Sequence, residues 1–137
     1  MTNPKTNETK PRPRTIENPP PLKCDETLSH ISSVGVLDRR VVWNLIKHLE
    51  AAGFKPSGVD NGDEMITTLT PEAMMEEVFS VDDSYAHFRK SDEGRGYWVR
   101  LILGNSGWDV TSDWGCPMQD PDRWNAAMEA FDGEMYV

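Results

Sequence analysis

Between Asp38 and Ala52 the apolar residues Val42, Leu45, Ile46 and Leu49 recur at helical intervals, which puts them on one stripe of a helix. Asp38 can cap its first turn, and Gly53 supplies a left-handed stop. A second helix is predicted from Thr70-Pro71-Glu72, an N-cap followed by proline and an acid in the first turn, through Met74, Met75, Val78 and Phe79 to about Ser80. The same grammar returns at Asp120-Pro121-Asp122. There Trp124, Ala127, Met128 and Phe131 form a buried face before Gly133.

Elsewhere the period drops to two. Phe54 to Val59 and Met65 to Leu69 flank Asp60-Asn61-Gly62-Asp63, whose Asn-Gly step favours a tight hairpin turn. Pro56 weakens the first of these strands or places it at an edge. Ser84 to Lys90, Tyr97 to Leu103 and Trp108 to Trp114 read as three more strands joined by short glycine-containing loops, a pattern that favours an antiparallel meander. The expected fold is α+β, an antiparallel sheet of about five strands carrying three helices in the order α-β-β-α-β-β-β-α.

Composition divides the chain. Residues 1–23 hold six of the ten prolines, with five basic and two acidic side chains, a net +3. So few apolar groups cannot offset the entropy of ordering, and the segment is expected to be a disordered, basic, proline-rich tail. Residues 24–137 carry nine basic and 21 acidic side chains, a net −12, and are expected to form a single acidic domain. A body of that sign repels nucleic acid and anionic membranes and attracts basic proteins. The tail, through Lys5, Lys10, Arg12, Arg14 and Lys23, can reach an acidic partner or fold back on its own domain.

Two cysteines, Cys24 and Cys116, make neither a disulfide framework nor a C-x-x-C pair. With no apolar stretch resembling a signal peptide or a spanning helix, a cytoplasmic protein with reduced thiols is expected. No phosphate-binding loop, nucleophile elbow, H-E-x-x-H or dinucleotide fingerprint is written in the chain. His30, His48 and His87 are far apart; His48 reads as an exposed helix residue and His87 as lying on the solvent side of its strand. No metal site or cofactor is expected.

Three readings of function follow. The leading one is a non-enzymatic protein-binding module. Its acids Asp60, Asp63, Glu64, Glu76, Glu77, Asp82 and Asp83 (with Asp92 and Glu93 beyond them) would imitate a phosphate backbone and inhibit a basic nucleic-acid-binding protein. Anti-defence proteins of phages and plasmids offer an analogy at the level of charge and size. The second is a small hydrolase using Asp109 and Asp113, two carboxylates on one strand face, with His87 as a helper. The third is a regulatory or scaffold subunit acting through an outward Trp98 and Arg100 on the sheet, a face that a homodimer would bury equally well. Trp43 lies off the main stripe of its helix and is compatible with either a widened core or an exposed position.

Overall fold

The structure is a computed structural model that describes residues 19–21, 36–90, 94–104, 110–117 and 121–135. The expected tail lies outside these residues apart from Pro19–Pro21. Cys24, His30, Asp92, Glu93, Trp108, Asp109 and Asp120 are outside them as well. The described elements are α1 (Val36–Ala51), β1 (Phe54–Asp60), β2 (Met65–Thr67), α2 (Pro71–Val78), β3 (Asp83–Lys90), β4 (Gly94–Ile102), β5 (Thr111–Gly115) and α3 (Pro121–Met135). This is an α+β fold in the expected element order. All strand pairings are antiparallel, and the sheet runs β2-β1-β3-β4-β5.

One face of the sheet carries the core. Phe54, Val59, Ala86, Phe88, Tyr97, Val99 and Leu101 meet Val42, Leu45, Ile46 and Leu49 of α1, Met74, Met75 and Val78 of α2, and Trp124, Met128 and Phe131 of α3. Trp124 anchors α3: its fully buried ring packs against Phe54, Phe88 and Tyr97 at centroid distances of 5.0, 5.9 and 5.2 Å. α1 is enclosed more completely than one stripe would require. Residues 41–46 are buried without a break, and Trp43, only 5% exposed, belongs to the core with the Lys47 ammonium 5.5 Å from its ring.

Several local expectations change in detail. Helix α1 begins before Asp38, whose buried carboxylate instead accepts the Gly104 N–H at 2.8 Å and ties the helix start to the end of β4. His48 is half-buried rather than exposed, with Nε2 2.8 Å from the Ala127 carbonyl oxygen and its ring against Phe131. Pro56 lies within β1, which is interior to the sheet. The missing N–H is tolerated because β2 pairs only with Gly58–Asp60, and a register shift between Pro56 and Gly58 interrupts the ladder to β3. The first hairpin closes through four residues, Asn61 to Glu64, with Gly62 at φ +98°. The cap of α2 is as expected: Thr70 Oγ1 accepts the Ala73 N–H at 3.1 Å ahead of Pro71. β5 starts at Thr111, and α3 runs through Gly133 to Met135.

Candidate interaction surface

Because all three helices pack on one side, the other face of the sheet is covered by no described element. Strand alternation decides which side chains it displays, and the register lines them up in rows. One row crosses all five strands as Met65, Asp60, Tyr85, Arg100 and Asp113; the next runs Thr67, Gly58, His87, Trp98 and Gly115. At about 4.8 Å per strand each row is about 19 Å long.

The rows have internal structure. Trp98 lies flat across Gly115, where an added Cβ would sit 2.5 Å from the indole, so only glycine leaves room for the ring. Gly58 is likewise roofed by Met65, with an added Cβ 3.0 Å from the sulfur. Large side chains leaning over strand glycines recover contact that the glycines cannot make. Tyr85 meets Trp98 edge-on at 5.4 Å, and the Arg100 guanidinium stands 5.8 Å from the Tyr85 ring centre. Arg100 also donates to both Asp83 oxygens, Nε to Oδ1 at 3.1 Å and Nη2 to Oδ2 at 2.6 Å. Those hydrogen bonds hold the Asp83 carboxyl below its usual range and raise Arg100 above its own. Both groups are well exposed, so the pair positions Arg100 more than it stabilises the fold. His87, half-buried beside Trp98, is held below the ordinary histidine range by desolvation, with Asp60 pulling weakly the other way.

The acids collect at one end of this sheet. Asp60 ends β1, Asp63 and Glu64 form the hairpin tip, Glu76 and Glu77 occupy the last turn of α2, and Asp82 and Asp83 lead into β3. These segments meet at the same end because β1 runs into the hairpin there and β3 starts there, Asp60 facing Tyr85 across the ladder. Arg39 and Arg40, at the start of α1, and Arg100 are the described bases nearest to that end. Lys55, Arg89 and Lys90 lie at the opposite end, along with Arg123, whose guanidinium neighbours Gly53.

Trp98 and Arg100 therefore share one surface with Asp60, Asp83 and Asp113, while Asp63, Glu64, Glu76, Glu77 and Asp82 border its acidic end. Asp113 faces outward opposite Arg100 and accepts its own Trp114 N–H at 2.9 Å. Its suggested partner Asp109 is outside the described residues. Cys116 forms no disulfide. Among the described residues no group of three or more His, Cys, Asp or Glu is arranged to hold a metal ion, and no helix is long and apolar enough to cross a membrane. Sequence reasoning missed the roles of Met65, Gly58 and Gly115. A glycine inside a strand was the available signal, since it marks a close approach. No protein family, curated protein or solved structure matches the chain.

Proposed function

We propose that this protein is a non-enzymatic binding module whose acidic end engages a basic protein, and that it acts as an inhibitor by occupying a surface otherwise used for nucleic acid. The observation that supports this reading most is the gathering of Asp60, Asp63, Glu64, Glu76, Glu77, Asp82 and Asp83 where the hairpin tip, the end of α2 and the start of β3 meet. Charges spaced within a Debye length of about 8 Å reinforce one another, so a one-sided group steers a basic partner far better than the same acids spread evenly. Lys55, Arg89, Lys90 and Arg123 lie away from this group, at the opposite end.

The test offers the immobilised chain a purified basic nuclease and a basic repressor, each with and without duplex DNA. Under this reading a bound partner gives up its DNA, and the variant Asp63→Lys, Glu64→Lys, Asp82→Lys fails to capture it. Partner and DNA held together in one complex, or capture by the charge-reversed variant at unchanged affinity, would reject it. The sheet face left uncovered among the described residues favours a second reading, a scaffold subunit docking through Trp98. In that case Trp98→Ala abolishes binding and the three charge reversals do not.

A further inference from the structure

The face that no described element covers poses a question separate from that of the partner. Five strands of these lengths present a footprint of only about 500 Å², short of the roughly 800 Å² per side of a standard stable interface. Its dimensions suit one extended segment lying across the strands.

Such a segment is present in the chain itself. Lys10-Pro11-Arg12-Pro13-Arg14 combines prolines with three cations. Proline-rich segments pre-set to the polyproline II form dock on aromatic surfaces with little entropy left to lose. The face has the aromatic ground, Trp98 seated on Gly115 with Tyr85 edge-on to it, and a carboxylate on each side, Asp60 on β1 and Asp113 on β5, while Arg100, the cation between them in the row, is drawn off onto Asp83 by its two hydrogen bonds. The Asp60 and Asp113 carboxylates are three strand spacings apart, about 14 Å. Lys10 and Arg14 in polyproline II are about 12 Å apart. The chain also comes close enough. Pro19 and Pro20 are half-buried, and eight residues lie between Lys10 and Pro19, a reach of about 30 Å when extended and comparable with the diameter of the body.

We propose that residues 10–14 bind in cis across the open face, the prolines on Trp98 and Tyr85 and the basic side chains between Asp60 and Asp113. These residues lie outside those the structure describes, so the occupant is named by length, charge and chemistry. Tethering supplies an effective concentration in the millimolar range, so a contact too weak to hold a free peptide would still be filled. The inference does not depend on the partner proposed above.

The test uses the full chain and its variant Lys10→Glu, Arg12→Glu, Arg14→Glu, compared by amide and indole NMR. The substitutions change no residue of the described core, and the Trp124 indole, fully buried in it, reports whether the fold is intact. The expected outcome is displacement of the Trp98 indole N–H and the Tyr85, His87 and Asp113 amides, with the Trp124 indole unmoved. Salt at about 0.5 M should carry the wild-type spectrum toward that of the variant, since screening shortens to a few ångströms. A millimolar addition of a synthetic peptide of residues 1–18 should return the variant toward the wild type. Unchanged resonances on β3 and β4 would overturn the proposal, as would changes centred on the helical side. Shifts that scale with protein concentration would also overturn it, since they would make a second copy the occupant.

Discussion

His87 is partly desolvated in the fold, and the sign of that effect sets a pH dependence. Desolvation lowers its folded-state value below the ordinary 6.5, so the unfolded chain takes up the proton more readily. Stability is therefore lost as the pH falls through the mid-sixes and levels off once the folded form is protonated as well. His87→Gln should flatten the urea midpoint between pH 7.5 and 5.5; an equally steep fall in the variant would place the dependence elsewhere. Asp83 acts at lower pH. Hydrogen bonds from Arg100 depress its value, so its contribution is present above the ordinary carboxylate range and disappears only in stronger acid. Gly115 is tested by packing. Gly115→Ala must displace the Trp98 ring and should move its indole N–H resonance and expose its fluorescence, whereas Gly62→Ala, with nothing within 4 Å of the added carbon, should leave Trp98 undisturbed.

Among the elements, α2 carries a local conflict. Its start is well capped by Thr70, Pro71 and Glu72, but its last turn has no base and two acids, Glu76 and Glu77, at the negative end of the helix dipole. Glu77→Gln should stabilise the fold by about 0.3–1 kcal/mol while weakening capture of a basic partner, a combination that a purely structural residue would not give. No change in the denaturation midpoint would argue against the dipole penalty. The element order was legible because it rests on short-range signals: periods of 3.6 and 2, Thr70-Pro71, Asp120-Pro121, and glycine at Gly53 and Gly62. What pairs across the sheet was not legible. The rows joining Met65 to Asp113 and Thr67 to Gly115 depend on register, and the shifts near Pro56, Phe88 and Arg100 reset it in ways no local pattern announces. His48 was misread for a related reason: the polar side of its helix is polar in sequence, yet α3 returns to cover it.

For the molecule as a whole, a net −12 on residues 24–137 gives the amount of charge but not where on the surface it lies. Folding brings three separate acidic stretches to one end and leaves Lys55, Arg89, Lys90 and Arg123 at the other. The candidates Asp60, Asp63, Glu64, Glu76, Glu77, Asp82 and Asp83 thus come to the same end of the sheet, and Trp98 and Arg100 lie on the face that no described element covers. The most direct measurement is the dissociation constant for a basic nuclease, taken at about 50 and 200 mM salt with the wild type and with Asp63→Lys, Glu64→Lys, Asp82→Lys. A steered acidic contact predicts at least a tenfold loss with salt in the wild type, and a variant that binds weakly at both concentrations. Affinity that holds steady across the salt range, or survives the reversal of those three charges, would contradict it.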